Sequence, residues 1–327
     1  YYSLLLYRET SAMVPSILSN QTQTFESISQ LNTGLDISLW GSRINVTADI
    51  YQQLTSDLLV YSQESSFTGF DYSIVNDGII TNNGWEIALS TRILDDHYFK
   101  WDFFGNISSF KNKVVKIRNT EIITPFEGGE FISREGGSIL EFYGLQYNGV
   151  YETSEMAEAD GLVNADGLPF GAGDASFIDI SGPEGIPDKV IDDFDKTGLG
   201  SPIPDMFGGI GSSISYKNFT LSVFAQFVSG REVFNYTRYQ NEKMTDLSNQ
   251  STAVLNRWTF EGQKTDVPRV LWNDPIGNSS FSSRWIEDGA FIRINNLSLS
   301  YTIPDEVLFF RNLHIYITGI NLFTFNK

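Results

Sequence analysis

The chain has 327 residues, with 40 acidic against 22 basic side chains and a net charge of −18, a balance that argues against nucleic acid as a partner. It contains no cysteine, which removes disulfide frameworks and thiolate metal sites. Aromatics make up 14% of the residues, too many for a disordered chain, and no run of ~18 apolar residues offers a transmembrane helix, although barrel strands need none.

The chain opens on Tyr1 without a charged or apolar leader, as expected of a fragment or of a protein that is not exported. Tyr1 to Tyr7 reads as part of a strand, broken at Met13-Val14-Pro15. Strict alternation then begins. Leu31, Leu35, Ile37 and Leu39 share one face opposite Asn32, Asp36 and Ser38. Gly41-Ser42 suits a tight turn, and Ile44, Val46, Ala48 and Ile50 return on the apolar side. Side chains on a strand alternate between faces, so this is a hairpin with one greasy and one polar surface.

The clearest pair runs from Trp85 to Ser108. Trp85, Ile87, Leu89 and Ile93 alternate with Glu86, Ser90 and Arg92. After Asp95-Asp96-His97, Phe99, Trp101, Phe103 and Ile107 alternate with Lys100, Asp102 and Asn106. Each arm is about ten residues long, the ~9–11 a tilted strand needs to cross a bilayer. A single strand is expected over Ser138–Tyr151. Further hairpins occur at Ile210–Phe227, turning at Lys217-Asn218, and at Leu297–Ile317, turning after Pro304. This makes roughly nine strands.

Short turns at 41–42, 95–97, 217–218 and 304–311 contrast with long connections at 52–84, 118–137, 152–205 and 231–283. Their alternation places the long loops at one end of the sheet, as in outer-membrane barrels with short periplasmic turns and long external loops. A soluble sandwich has little reason to do this. The pattern therefore predicts an all-β fold, a transmembrane antiparallel β-barrel, with Trp85 and Trp101 at opposite interfaces of the bilayer.

Particular segments resemble a known family. Asn32-Thr33-Gly34-Leu35-Asp36, Asp49-Ile50-Tyr51 with Thr55-Ser56-Asp57-Leu58-Leu59, and Asn82-Asn83-Gly84-Trp85-Glu86 are similar to the C-terminal barrel of SusC/RagA-like TonB-dependent transporters. So are Trp101 followed by Asn106-Ile107-Ser108, the run Phe291–Tyr301, and the closing Gly319-Ile320-Asn321-Leu322-Phe323-Thr324. The resemblance implies a 22-stranded barrel around a plug, with residues 1–327 forming its C-terminal portion and the plug domain outside this chain. It further implies multi-pass insertion in outer-membrane lipid. The implied function is TonB-dependent import of a glycan or peptide nutrient, energised through an N-terminal part beyond this chain and shared with a SusD-like surface lipoprotein. A structural or adhesive barrel, or a soluble β-rich binding protein, are the alternatives.

Residues 152–205 carry 13 acidic residues and only Lys189 and Lys196 as basic ones, so this connection supplies most of the net −18. Asp179, Asp188 and Asp192 are candidate calcium ligands, because hard cations take clustered carboxylates, but Pro183 breaks the usual ligand spacing. A solvated acidic loop is the default, with no other cofactor expected. No catalytic motif of the Gly-x-Ser-x-Gly or His-Glu-x-x-His kind occurs, and His97 and His314 fall near short turns, so no enzymatic activity is expected. In the last long loop Tyr236, Tyr239, Trp258 and Trp272 are candidates for substrate binding, since aromatic faces suit sugars and peptides. Packing of the loop against itself or against a partner lid is the favoured account of them.

Overall fold

The computed structural model describes residues 2–7, 10–15, 17–70, 72–304 and 313–326. Its centre is an antiparallel sheet of eight strands. We number these β1 (Ser27–Leu39), β2 (Ile44–Ser56), β3 (Gly78–Asp95), β4 (Phe99–Ile117), β5 (Met206–Tyr216), β6 (Phe219–Ser229), β7 (Phe291–Ile303) and β8 (Leu313–Asn326). Each pairs with its neighbours in sequence, an up-and-down meander from β1 to β8. Among the described residues, β1 and β8 each pair on one side only.

The register sorts the two faces. One row across all eight strands reads Leu35, Ala48, Ile87, Ile107, Gly208, Phe227, Ile292 and Phe325. The adjacent row reads Asp36, Thr47, Ala88, Asn106, Gly209, Gln226, Arg293 and Thr324. An apolar row beside a polar one, repeated along the strands, is the pattern of a wall between lipid and a wet lumen. Leu35, Ile87, Ile210, Ile292 and Phe325 remain exposed on the apolar face, which in water would be a serious liability and in lipid is none. On the other face the Tyr51 ring lies flat over Gly84, where a Cβ would collide with it.

Three bulges adjust this pattern. One at Ile93 puts Leu94, not Ile93, opposite Trp101. A second, at Asn295, shifts β7 against both neighbours. The third, at Val115, lies beyond the apolar band, where Val114 pairs with Ile80 and Lys116 with Ile79. A bulge adds one residue to one strand and so resets the facing of the residues beyond it.

Short links at 40–43, 96–98 and 217–218 lie at one end of the sheet, where Trp40, Gly41 and Ser42 turn through left-handed φ values of 49°, 64° and 66°. The link after Pro304 belongs to the same end, although residues 305–312 lie outside those described. At the opposite end run 57–77, 118–205 and 230–290. The strand expected over Ser138–Tyr151 is not a member of the wall. Glu141–Gly144 joins a small sheet with Glu121–Phe126, Gly129–Arg134 and Thr197–Gly198, while Tyr147–Val150 pairs with Ala175–Phe177. Its removal merges the expected 118–137 and 152–205 loops into one connection and makes the alternation of short and long strict. Near the start, Met13–Pro15 does not break the chain but ends a strand, Thr10–Pro15, that pairs with Tyr2–Tyr7.

Candidate functional site in the loop cap

The long connections fold into a cap with cores of its own. Leu145, Tyr151, Ala157, Leu162, Phe170, Ala175, Phe177 and Ile191 form one buried cluster, and Ile276 from the later connection packs against it. Helix α1 (Ser154–Asp160) starts at Thr153, whose hydroxyl accepts from Met156 N–H, and ends at Gly161 with φ 62°. Side-chain capping and a left-handed glycine are what stop so short a helix from fraying.

A second cluster is aromatic. Phe126 packs against Phe131, Phe142, Phe234 and Phe281, with ring centroids 4.5 to 6.2 Å apart. It joins the 121–134 hairpin to helix α2 (Tyr236–Glu242) and to the segment ahead of β7. Edge-to-face ring pairs at such distances contribute beyond the area they bury.

The two connections are pinned together at Asp174, which is fully buried. Arg269 donates to both carboxylate oxygens, Nε at 2.6 Å and an Nη at 2.8 Å. Asn278 Nδ2 adds a bond of 3.0 Å and Gly171 N–H one of 2.8 Å. A buried charge is tolerated only when so satisfied.

Of the residues singled out as substrate-binding candidates, three belong to this packing. Tyr239 meets Trp285 edge-on at 5.3 Å and stacks with Tyr236 at 6.3 Å, while the Tyr236 hydroxyl donates to Glu127. Trp258 lies against Gly173 and donates from Nε1 to the Glu152 carbonyl at 3.1 Å. Only Trp272 projects freely, 61% exposed. Leu247, Leu255, Phe260 and Val270, on the same long connection, are exposed as well.

The acidic segment is self-capped. Asp179 accepts from Lys189 N–H at 2.7 Å, Asp188 from Val190 N–H at 3.0 Å and Asp192 from Phe194 N–H at 2.8 Å. Buried Asp195 accepts from the N–H groups of Ile180, Ser181 and Asp192. These carboxylates close turns, and among the described residues no three His, Cys, Asp or Glu side chains come together to hold a metal. Asp179, Asp188 and Asp192, the candidate calcium ligands, are among these turn-closing carboxylates.

Two clefts involve residues the sequence did not single out. One, of about 510 Å³, lies between Tyr61 and Tyr72 on one side and Arg118, Glu121 and Ile123 on the other. The second, of about 400 Å³, is lined by Tyr143, Glu130, Lys196, Asp193 and Phe281. There Lys196 bridges Glu130 and Asp193, each at 2.8 Å. Burial alone would lower its pKa, and the two carboxylates outweigh that and raise it. Glu130 and Lys196 are far apart in sequence and join only through the pairing of small strands, so no local motif marks the pair. Nearby, Arg284 is buried with its guanidinium 4.3 Å from the Trp285 ring centroid, and burial lowers its pKa. Polar and aromatic side chains thus line this part of the cap together.

No family model matches the chain. TonB-dependent receptor P3 of Formosa agariphila is 29% identical over 334 residues, covering 99% of this chain and 32% of that protein. TonB-dependent receptor P26 of the same organism is 29% identical over 312 residues, 93% of this chain and 30% of its own length. TonB-dependent receptor SusC of Bacteroides thetaiotaomicron is 25% identical over 293 residues, 88% of this chain and 27% of that protein. The structure of the RagAB peptide transporter covers 100% of this chain and 35% of the other, with a TM-score of 0.77 at 21% identity. The chain thus spans about a third of the length of the relatives it matches. The relatives are receptors and transporters rather than enzymes, and their kind resides in the outer membrane as β-barrels. In sequence and in fold, the chain is a homologue of the SusC/RagA-like TonB-dependent receptors and corresponds to a stretch of their barrel wall.

Proposed function

We propose that this chain is part of a multi-pass outer-membrane importer that takes up a glycan or peptide nutrient, driven by TonB, together with a SusD-like surface lipoprotein. The observation that carries the reading is the one-sided wall, apolar outside and polar inside, topped at one end by a folded cap with clefts of its own. In this reading residues 1–327 are the C-terminal portion of the barrel, the long connections are external, and the polar face lines the route of the nutrient.

The lipoprotein would dock on the part of the cap where Leu247, Leu255, Phe260, Val270 and Trp272 are exposed. Apolar and aromatic side chains left in water at a surface favour a protein partner. The test is affinity purification of the full-length protein from membranes, with and without Leu255→Ser, Phe260→Ser and Trp272→Ser. These side chains are exposed, so the changes leave the cap cores intact. A lipid-anchored protein should co-purify with the parent and be lost from the triple variant. Recovery of the same lipoprotein with both would refute the docking surface. Failure to recover one at all would favour a structural or adhesive barrel.

A further inference from the structure

Strand β4 outruns the apolar band and carries basic residues with no acid among them, Lys111, Lys113 and Lys116, followed by Arg118 just past its end. Spacing alone would place Lys116 on the opposite face from Lys111 and Lys113. The bulge at Val115 reverses that. Lys111 pairs with Asn83, Lys113 with Thr81 and Lys116 with Ile79, and Asn83, Thr81 and Ile79 are alternate residues of β3 that share one face. All three lysines therefore stand on the face of Trp85, Ile87 and Leu89, the face turned to lipid lower down. All three are exposed.

The other face of the same stretch is covered. Asn112 donates to Asn82 and accepts from Ile139 N–H, and Val114 and Ile117 are buried with Val60. The lysines thus point away from the cap and the lumen. Their level is also defined. Trp101 and Ser109 are eight residues apart on β4, ~27 Å along the strand at ~3.4 Å per residue. At the usual strand tilt of ~35–45° this spans ~19–22 Å of height, most of the ~25 Å apolar band of a barrel. Trp85, the partner of Ser109, marks the upper interface, and Lys111 is the next outward-facing residue above it. Lys113 and Lys116 continue upward.

The neighbours on this face are Asn83, Thr81 and Ile79 on β3 and, through Asn83 and Thr81, Gln52 and Leu54 on β2. None is charged. Asp77 pairs with Lys116 at 2.8 Å, and the Glu135 carboxylate also acts on Lys116 from farther away. Among the described residues Lys111 and Lys113 have no acidic partner within ion-pair distance, in a chain whose net charge is −18.

We infer that Lys111, Lys113 and Lys116 form an outward-facing seat for the phosphate groups of a glycolipid in the outer leaflet of the membrane. Cations immediately outside an apolar band meet the headgroup layer, where ammonium groups pair with phosphate as point charges. The lysines offer such charges in a row, with apolar wall below for the acyl chains. The leaflet rests on the reading that the long connections are external.

The test uses the full-length protein in detergent, with Lys111→Gln, Lys113→Gln and Lys116→Gln combined, and Lys217→Gln at the opposite end as a charge control. Binding of phosphorylated lipid A is compared with binding of its dephosphorylated counterpart. At about fivefold per charge near an anionic headgroup, and counting only Lys111 and Lys113 because Lys116 is already paired with Asp77, the triple variant should lose at least about 25-fold in affinity for the phosphorylated lipid. Lys217→Gln should bind as the parent does, and heat-modifiable gel mobility should be the same for all three proteins. Equal binding by the triple variant, or parent binding that ignores the phosphates, would overturn the inference. Orientation is read separately, by labelling a cysteine at Asp166 on whole cells. A periplasmic Asp166 would overturn the assigned leaflet whatever the lipid assay shows.

Discussion

Replacing Arg269 by Met should unlatch the cap without disturbing the barrel wall. Asp174 is fully buried and receives four hydrogen bonds, two of them from Arg269. Removing one partner of a buried ion pair costs ~3–5 kcal/mol, because the remaining charge has nowhere to go. Asn278 and Gly171 stay in place to share it, so the lower end, about 3 kcal/mol, is expected. The loss is local. Tyr151 N–H bonds to the Asp174 carbonyl, Gly173 N–H to the Tyr151 carbonyl and Arg269 N–H to the Gly173 carbonyl, so these amides report on the node. Hydrogen exchange should accelerate there by about 100-fold, while amides of the wall keep their protection. Asp174→Asn added to Arg269→Met removes the orphaned charge and should recover most of the protection. An acceleration under about threefold in the single variant, or no recovery in the double, would refute the account of how the two connections are held.

On the apolar face, Val223→Arg should cost ~2–4 kcal/mol in urea titration and Ser222→Arg much less, because only the first meets lipid at mid-depth. Equal costs would count against a wall in lipid. A cysteine at Asp166 should react with an impermeant maleimide on whole cells and one at Lys217 should not; the reverse pattern inverts the topology. Burial pushes the Tyr147 phenol up to about 12, and its hydroxyl donates to the Asp266 carbonyl at 2.7 Å. Its folded pKa is above the ordinary 10.0, so its contribution to cap stability is full below pH 10 and is lost as pH climbs toward 12. Limited proteolysis of the cap across that window should show the loss, and Tyr147→Phe should flatten this part of the dependence. A Tyr147→Phe profile identical to the parent's would rule the phenol out as its source.

The wall was legible because its signal is local. Period-two alternation at Leu31–Leu39, Ile44–Ile50 and Phe219–Phe227 depends only on residues two apart, and a tight turn fixes which faces match. Every apolar residue named on those strands stands on the predicted face. Where the reading slipped, a bulge or a change of sheet was the reason. Ile93 carries the right parity and loses its place to Leu94 because one extra residue is inserted there. Ser138–Tyr151 has strand-like alternation, but its two halves pair with Gly129–Arg134, Thr197–Gly198 and Ala175–Phe177. Alternation reports that a segment is extended, not which sheet accepts it.

The cap was illegible for a different reason, and the difference bears on what it does. Its contacts join residues about a hundred apart, as between Asp174 and Arg269, Ala175 and Asn278, or Tyr147 and Asp266. Such pairings have no period and no motif. The tryptophans and tyrosines that looked like a binding surface are mostly spent on them, as Trp258 is on Gly173 and Tyr239 on Trp285. Long loops that served only to close strands would have no cause to bury a carboxylate or to stack rings, since disordered chain would close them at little cost. Ordering them loses ~1–2 kcal/mol of backbone entropy per residue, and the buried clusters offset that loss. What the order secures is the fixed position of the remainder, with Trp272 and Phe260 facing outward and Lys196 held between two acids in its cleft. Under the function proposed above, a rim fixed in this way is where cargo and a surface lipoprotein would both arrive.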